Sequence, residues 1–369
     1  LSLFFFLEEI ASECPGMANL IGVQYLGVAA TFASFNIQVA NDIFRDVAKG
    51  EREGKPCLLT ACATEPAAGT DLMEPEMMDK ASVSCQAKRV EGGYLLNGNK
   101  IFISNGHLAQ WHSVVAFEDP ARPSDSTIMC LVNTDWKGFS FGRQEKKMGQ
   151  KGCPASELIF KDCFVPDEYV SINKSQVKNM NGGNFSATSA TVLNYVFATS
   201  RAGVAAFGAG TARGAYEKAL QFALETRVRG KLLINYEWAQ GMLAEMDKNA
   251  ALGRLAYIEN TLNNGLDGMV RLLHKKPLFY FFKYFPFRLV DRITSRMMRN
   301  RVITWLVRNF YLQFQTKDQF YASAGWGSLA KFSATDMGMK NTHLAVELMG
   351  QAGIRHDRGA EKLLRDAKL

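Results

Sequence analysis

Apolar side chains recur every three or four positions over residues 1–50, which is the spacing of an amphipathic helix. Within this range the pair Asn41-Asp42 precedes Ile43-Phe44 and is a candidate N-cap, since both polar side chains can accept backbone hydrogen bonds. A polar break from Gly50 to Pro56 then ends the helical texture. Long helical patterns return later in the chain, at 190–227, 236–263 and 319–350.

Between residues 57 and 170 short apolar runs alternate with turn residues, which is typical of β-hairpins and favours a small β-domain. The sequence therefore predicts an α+β chain of three parts. These are an N-terminal helical domain at 1–56, a central antiparallel β-domain at 57–175 and a C-terminal helical bundle at 184–369. The predicted turns lie at Glu91-Gly92-Gly93, Asn97-Gly98, Asn105-Gly106 and Lys137-Gly138.

The composition is that of a folded globular protein, because 47% of the 369 residues are hydrophobic and 21% are charged. No uncharged apolar run reaches the roughly 18 residues of a transmembrane helix. The seven cysteines, with Cys57, Cys62 and Cys85 among them, show no C-x-x-C spacing. This pattern favours buried thiols in a reducing compartment over a zinc or disulfide framework. The five histidines are scattered, so we expect no metal site.

The net charge of +7 is concentrated in one stretch. Residues 271–308 carry ten Lys and Arg against one acid, Asp291, a net of +9 that leaves the rest of the chain near neutral. Aromatic residues are interleaved with these cations, which favours an anionic lipid surface, although nucleic acid would also accept the charge. A third interpretation is a helical hairpin that packs its aromatics on the domain and exposes its arginines. The stretch belongs to an additional segment at 266–318 between two helical patterns.

The loop from Cys62 to Asp71 is the first candidate binding site. Its small residues let backbone N–H groups approach a flat or anionic ligand, and the hydroxyls of Thr64 and Thr70 can donate to ring oxygens or nitrogens. The alternative is a tight turn capped by Asp71. For the carboxylates of Glu65, Asp71 and Asp366 we expect local capping and pairing.

Two other groups of residues receive structural interpretations. The run from Gly208 to Gly214 has the small residues of a dinucleotide fingerprint, but its spacing is G-x-G-x-x-x-G and no strand pattern precedes it. Close packing between helices is therefore preferred over NAD binding. His107 and His112 are interpreted as surface or hydrogen-bonded histidines rather than acid–base catalysts.

Three motifs occur in a specific order, TEPAAGTD at 64–71, GYLLNGNKIFISN at 93–105 and FKDCFVP at 160–166. They resemble the T-E-P-x-A-G-S-D, G-Y-x-L-N-G-x-K and F-x-D-x-x-V-P motifs of the acyl-CoA dehydrogenase family. GQAG at 350–353 and RDAK at 365–368 resemble two further motifs of that family. Ordered agreement at this many positions identifies the chain as a member.

The resemblance covers nearly all of residues 1–265 and 319–369. It implies the family's three-part fold, with FAD held noncovalently between the β-domain and the helical bundle of a homotetramer, a dimer of dimers. It also implies a role in fatty acid metabolism by β-oxidation. The implied reaction converts an acyl-CoA thioester to the trans-2-enoyl-CoA, by abstraction of the α-proton and transfer of a β-hydride to flavin N5. The electrons would pass to an electron-transferring flavoprotein.

Individual residues receive roles only through this resemblance. Thr64 and Thr70 match hydroxyls near the flavin ring and the acyl thioester, and Phe102 takes the aromatic position beside the isoalloxazine. Ser104 takes the hydroxyl that reaches flavin N5, where a donor stabilises negative charge as hydride arrives. Arg201 matches a basic residue close to the substrate. The other positions matched to FAD contacts are Ile103, Arg227, Gly350, Gln351 and Gly353.

Three features depart from the family pattern. Arg227 stands one place from the arginine that holds a neighbouring subunit's pyrophosphate, and Arg229 replaces a phenylalanine, although both suit phosphate. Gln351 replaces the second glycine of G-G-x-G. The family's glutamate base belongs to a stretch that we expect to follow Leu369, and its alternative position carries Ser200. No residue of this sequence is therefore assigned as the base.

The leading hypothesis is an FAD-dependent acyl-CoA dehydrogenase. An acyl-CoA oxidase and a flavin monooxygenase are enzymatic alternatives on the same fold. The non-enzymatic alternative is a relative whose basic stretch at 271–308 binds DNA or a membrane, with nucleic acid the less favoured ligand. We expect the cytoplasm of a bacterium or a mitochondrial matrix as the location, with peripheral membrane contact through the same stretch.

Overall fold

The N-terminal helical region is divided into three helices in the computed structural model. The first break lies at Cys14, because the proline that follows disfavours a helical backbone at the residue before it. The third helix begins after Asn36, whose side-chain oxygen accepts a hydrogen bond from the Val39 N–H at 3.3 Å. The N-cap predicted at Asn41-Asp42 is therefore wrong, since both residues lie inside that helix. The structure describes residues 1–33, 36–73, 75–174, 185–266, 275–284, 302 and 317–369.

Long helices return after the strands, which confirms the predicted order of helices, strands and helices. The three long patterns predicted in the C-terminal half correspond to α6, α7 and α9, whose starts differ from the predicted ones by five, one and two residues. No described helix is long and apolar enough to cross a bilayer. The helices are α1 (Ser2–Glu13), α2 (Pro15–Ala33), α3 (Ile37–Arg52), α4 (Pro75–Met78), α5 (Pro123–Ser126), α6 (Phe185–Glu225), α7 (Glu237–Leu266), α8 (Lys276–Tyr284), α9 (Lys317–Met349) and α10 (Ala360–Ala367).

The central strands form one mixed sheet in the described part of the chain. Its order is β6-β7-β3-β2-β4-β5-β8, and β1 pairs with β4 in parallel, with Thr60 opposite His112. Most other pairs are antiparallel, as predicted. The strands are β1 (Leu58–Cys62), β2 (Gln86–Val90), β3 (Gly93–Ser104), β4 (Ala109–Phe117), β5 (Thr127–Asn133), β6 (Phe139–Gln144), β7 (Ala155–Pro166) and β8 (Val170–Ile172), with a separate hairpin of β9 (Arg227–Val228) and β10 (Lys231–Leu232).

The turn predicted at Asn97-Gly98 is wrong, although the other three turns join strands. Asn97 and Gly98 lie inside β3, where the register against β7 shifts between Leu96 and Gly98. Two residues of β7, Lys161 and Asp162, lie opposite Asn97 alone, so the irregularity is a β-bulge on β7. The single strand therefore continues to Ser104 and carries the second sequence motif as far as the site described below.

Most of the cysteine thiols are buried, as the sequence predicts. Cys62, Cys85, Cys130, Cys153 and Cys163 are buried, Cys14 and Cys57 are partly buried, and all are free. Burial raises the pKa of Cys85 and of Cys163 to about 11, because the apolar core disfavours the thiolate. These thiols are protonated side chains of the sheet's core.

The small residues of α6 allow close contact between helices, which confirms their interpretation. A Cβ added at Gly214 would overlap the carbonyl oxygen of Ser12 in α1, and one at Gly210 would overlap that of Glu8. On another side of α6, a Cβ at Gly208 would lie 2.6 Å from the backbone of Ala334 in α9. The glycines thus let α6 pack directly against the backbones of two helices.

The segment predicted as an addition at 266–318 falls largely outside the described residues. Within it the structure describes α8, whose aromatic side chains Phe279, Tyr280 and Tyr284 belong to the stretch of interleaved cations and aromatic residues. The predicted domain boundaries stay predictions.

Candidate active site

Three hydrogen bonds join β1 and the loop after it to the end of β3. The Thr64 hydroxyl donates to the carbonyl oxygen of Ile101 at 2.5 Å, and the Ile101 N–H donates back to the Thr64 carbonyl at 3.0 Å. Four residues earlier, the Thr60 hydroxyl donates to the carbonyl oxygen of Ser104 at 2.8 Å. These bonds bring Thr64, Phe102 and Ser104 together, three residues that the resemblance assigns to one site.

The backbone of β3 turns the Phe102 ring out of the core. Phe102 has φ +56°, a conformation that is strained for a bulky residue, and 57% of its surface is exposed. The next residue, Ile103, is 2% exposed and packs among the core residues of the sheet. The Ile103 side chain is therefore unavailable to a ligand at this site. The contact with FAD predicted for Ile103 can involve only its backbone.

A buried ion pair holds the residues on either side of Thr64. The Lys100 ammonium is 2.7 Å from Glu65 Oε1 and donates to the Ala63 carbonyl at 2.9 Å, so it holds both neighbours of Thr64. The other carboxylate oxygen of Glu65 accepts hydrogen bonds from the Ser84 N–H, from the Ser84 hydroxyl at 3.0 Å and from the Cys85 N–H at 3.1 Å. Sequence reasoning missed Lys100, although it lies within the second motif.

The loop between Glu65 and Thr70 uses the backbone N–H groups of Glu65, Ala68 and Gly69 internally and leaves space beside Gly69. Glu65 and Ala68 form a β-bridge, and the Gly69 N–H donates to Asp71 Oδ1 at 2.6 Å, so the predicted capping by Asp71 is confirmed. No atom of the described residues lies within 4 Å of a Cβ built at Gly69. Thr70, the next residue, is exposed at the start of a short 3-10 helix. The loop therefore presents the Thr70 hydroxyl and open space beside Gly69 to a ligand.

Arg201 and Ser200 lie on α6 beyond its contact with the β-domain. Leu193, two turns before Ser200, packs in the cluster that includes Ala61 and Ala63 of the β1 strand and its following loop. The Ser200 hydroxyl donates to the Phe197 carbonyl at 2.9 Å, and the Arg201 guanidinium donates to the Ser328 hydroxyl of α9 at 3.0 Å. Both residues thus lie just C-terminal, along α6, to the segment that packs against the sheet.

The remaining predicted residues form a second group at the end of the bundle. Arg227 is exposed on β9 and donates to the Gly230 carbonyl at 2.9 Å across the hairpin. Leu233, just after this hairpin, shares a hydrophobic cluster with Met349, which precedes the turn of Gly350 and Gln351. That turn is exposed at Gly350, which has φ +54°, and at Gln351.

Gly353 differs from the other residues of this turn because it is buried. A Cβ there would lie 2.8 Å from Val346 Cα, so the glycine permits packing against α9. The geometry supports a packing role for Gly353, and its predicted contact with a cofactor stays a prediction.

The two histidines that flank the site have structural partners, in agreement with their interpretation. His112 is buried against Thr134, whose hydroxyl lies 3.1 Å from Nε2, and burial lowers its pKa to about 3. It is therefore neutral near pH 7. His107 Nδ1 lies 2.5 Å from the Ser156 hydroxyl, and its ring stacks on Phe141.

Asp366 of the RDAK motif joins α10 to the β-domain. Its Oδ1 accepts a hydrogen bond from the Gln150 N–H at 2.5 Å, and its Oδ2 lies 2.8 Å from the Lys362 ammonium. The Gln150 side chain donates to the Asp366 carbonyl at 3.0 Å. Local pairing was predicted for Asp366, and the link to Gln150 is an addition that only the structure provides.

The residues present fit the FAD that the resemblance implies. A flat aromatic cofactor needs an apolar face, hydrogen-bonding groups at its edge and room for its polar parts. Phe102 offers an exposed ring, Ser104 offers a hydroxyl beside it, and Thr64 offers a hydroxyl oxygen as an acceptor, since its proton is donated to Ile101. The space beside Gly69 gives room for polar groups. Among the described residues no group of three His, Cys, Asp or Glu side chains is placed to hold a metal ion.

Comparisons with known proteins agree with this geometry. The family model of the acyl-CoA dehydrogenase middle domain matches residues 60–163, and that of the acyl-CoA dehydrogenase C-terminal domain matches residues 190–299. Cyclohex-1-ene-1-carbonyl-CoA dehydrogenase of Syntrophus aciditrophicus is 29% identical over 98% of this chain and 69% of its own length.

Solved structures share the fold. Butyryl-CoA dehydrogenase of Megasphaera elsdenii superposes with a TM-score of 0.70 at 22% identity, over 98% of this chain and 75% of that one. A structure of the electron transferring flavoprotein of Acidaminococcus fermentans contains a chain with a TM-score of 0.66 at 22% identity, with the same coverage. The chain belongs to the acyl-CoA dehydrogenase family, whose members are FAD-dependent oxidoreductases that act on acyl-CoA.

Proposed function

We propose that the chain catalyses α,β-dehydrogenation of an acyl-CoA thioester to the trans-2-enoyl-CoA. Bound FAD would supply the hydride acceptor for this oxidation. The observation that carries the proposal is the junction of β1 and β3, where hydrogen bonds from Thr60 and Thr64 hold Phe102 and Ser104 in one place. The relative from Syntrophus, which is named for a cyclohexene-carbonyl thioester, supports a cyclic acyl group among the substrates.

The residues of the chain would bind and orient the reactants. Thr64, Phe102 and Ser104 would hold the flavin ring, and Thr70 and Arg201 would hold the acyl thioester. The Ser104 hydroxyl would donate to flavin N5, and a donor fixed before the reaction stabilises developing charge without reorganisation. Proton abstraction is not assigned to Ser200, because an aliphatic hydroxyl that donates to the Phe197 carbonyl is a weak base.

The second group of residues supports a site shared between subunits. Arg227 and the turn at Gly350 are exposed at one end of the bundle, where they would contact the FAD of a neighbouring subunit in a homotetramer. We propose an electron-transferring flavoprotein as the electron acceptor and β-oxidation as the metabolic setting. The structural neighbour from Acidaminococcus fermentans supports that choice of partner.

Anaerobic titration of the FAD-loaded protein tests the reaction. We expect butyryl-CoA or cyclohexane-1-carbonyl-CoA, each of which has hydrogen on both Cα and Cβ, to bleach the flavin absorbance with formation of the α,β-unsaturated product, and air to yield little hydrogen peroxide. Peroxide in equal amount to product would instead identify an acyl-CoA oxidase, and an oxygenated product a monooxygenase. Flavin that binds but is reduced by no acyl-CoA would contradict the proposal.

A matched pair of serine variants tests the site itself. We expect Ser104→Ala to slow flavin reduction by about 100-fold, the usual cost of a lost donor to developing charge. Ser140→Ala is the control, because Ser140 is an exposed serine on β6 of the same domain. Equal reduction rates in both variants would remove Ser104 from the proposed role.

A further inference from the structure

One face of α8 carries aromatic and basic side chains that are all exposed. Lys276, Phe279, Tyr280, Lys283 and Tyr284 follow the i, i+3, i+4, i+7, i+8 spacing that places residues on one side of a helix. The exposed fractions are 52% for Phe279, 50% for Tyr280 and 69% for Tyr284. In a typical amphipathic helix such a face is buried against the protein, so its exposure indicates a partner.

The aromatic rings form a cluster among themselves. The Tyr280 and Tyr284 rings stack with centroids 5.9 Å apart, and Phe279 meets Tyr280 edge to face at 5.7 Å. The Lys283 ammonium lies 5.3 Å from the Tyr284 ring centre and 5.9 Å from that of Phe279. The face is therefore a continuous surface in which apolar rings and cations alternate.

The charge of this region is strongly positive. Lys275, Lys276 and Lys283 are exposed in and beside α8, and the sequence from 271 to 308 has a net charge of +9. A surface of this kind fits an interface that is both anionic and apolar. The headgroup layer of an anionic bilayer has these two properties, since Lys is attracted to its charge and Phe and Tyr are stable at the boundary between headgroups and acyl chains.

We propose that the exposed face of α8 docks the enzyme on anionic phospholipid membranes as a peripheral protein. Nucleic acid is a poorer occupant, because Tyr280 and Tyr284 stack on each other and offer fewer free ring faces to bases. A second copy of the same face is also a poorer occupant, because two strongly positive surfaces repel. This docking is independent of the reaction at the flavin site.

Vesicle sedimentation with the full FAD-loaded chain tests the proposal. We expect the protein to sediment with vesicles of phosphatidylcholine and phosphatidylserine, and not with phosphatidylcholine alone, with binding that falls as salt is added. Replacing Lys275, Lys276 and Lys283 by Glu should lower the partition coefficient on the order of 100-fold. Replacing Phe279, Tyr280 and Tyr284 by Ser should weaken binding and leave the remainder more sensitive to salt.

The control carries the same charge change on another surface. Lys88, Lys137 and Lys161 are exposed in the β-domain, and their triple replacement by Glu should change the partition coefficient by less than about 3-fold if α8 is the docking site. Bound FAD and circular dichroism check that each variant is folded. Vesicle binding that survives both α8 variants, or that the control reduces equally, would overturn the proposal. Binding to duplex DNA in the absence of vesicle binding would overturn the proposal in favour of nucleic acid. Self-association that depends on α8, again in the absence of vesicle binding, would overturn it in favour of a second copy of the chain.

Discussion

The ammonium of Lys100 lies 2.7 Å from Oε1 of Glu65, and neither side chain has any exposed area. The pair joins the third strand to the loop that carries Thr64, because Lys100 also binds the Ala63 carbonyl. Loss of one charge would leave the other buried without its partner, which is far more costly than the loss of a surface pair. The pair therefore links the stability of the β-domain to the position of Thr64.

We expect Lys100→Met to lower the free energy of unfolding by about 3–5 kcal/mol and to reduce the bound FAD. Urea unfolding and the ratio of flavin to protein absorbance measure the two effects. Lys88→Met is the control, since Lys88 is exposed on the neighbouring strand β2. Equal stability of the two variants would show that the buried pair contributes little.

Glu8 of α1 is a second buried acid, and it joins the N-terminal helix to α7. Its carboxylate accepts hydrogen bonds from Arg254, with Nε 3.0 Å from each oxygen, and from the Tyr257 hydroxyl. We expect Glu8→Ala to lower the free energy of unfolding by about 3 kcal/mol, because the buried Tyr257 hydroxyl loses its acceptor. The adjacent Glu9 pairs with Arg213 but is exposed, so Glu9→Ala should cost less than about 1 kcal/mol in the same denaturation assay.

The contact between α6 and α1 leaves no room for a methyl group at Gly214. We expect Gly214→Ala to destabilise the protein by about 1–3 kcal/mol, because the added Cβ would overlap the Ser12 carbonyl. Gly241→Ala is the opposite case, since no described atom lies within 4 Å of a Cβ there, and it should stabilise α7 by up to about 1 kcal/mol. Thermal unfolding midpoints that move in the same direction would contradict this account.

His112 should make stability depend on pH. Burial lowers its pKa to about 3, whereas an unfolded histidine titrates near pH 6.5, so between these values the unfolded state binds the extra proton. Stability is therefore fully present above about pH 6.5 and falls by up to about 1.4 kcal/mol per pH unit as pH drops below it. His112→Gln should reduce the difference in urea midpoint between neutral and mildly acidic buffer. The exposed His343→Gln should leave that difference as in the parent protein.

The sequence by itself determined the order of the elements, most of the helix ranges and the family. Periodicity reports which residues of one element share a face, and this information is local, so the three long C-terminal helices could be predicted within a few residues. The motifs around Thr64, Phe102 and Ser104 depend on residue type and order alone. For the same reason the packing role of Gly208 to Gly214 could be assigned without coordinates.

Only the tertiary structure decided which distant groups meet. The bulge on β7 opposite Asn97, the Lys100–Glu65 pair and the link between Asp366 and Gln150 join residues whose local patterns allow other arrangements. In particular, the local sequence pattern does not distinguish Lys100 from an exposed polar residue of a strand. Its burial follows from the packing of β3 against the loop after β1, which gives a charged group a partner far along the chain and thereby makes its burial tolerable.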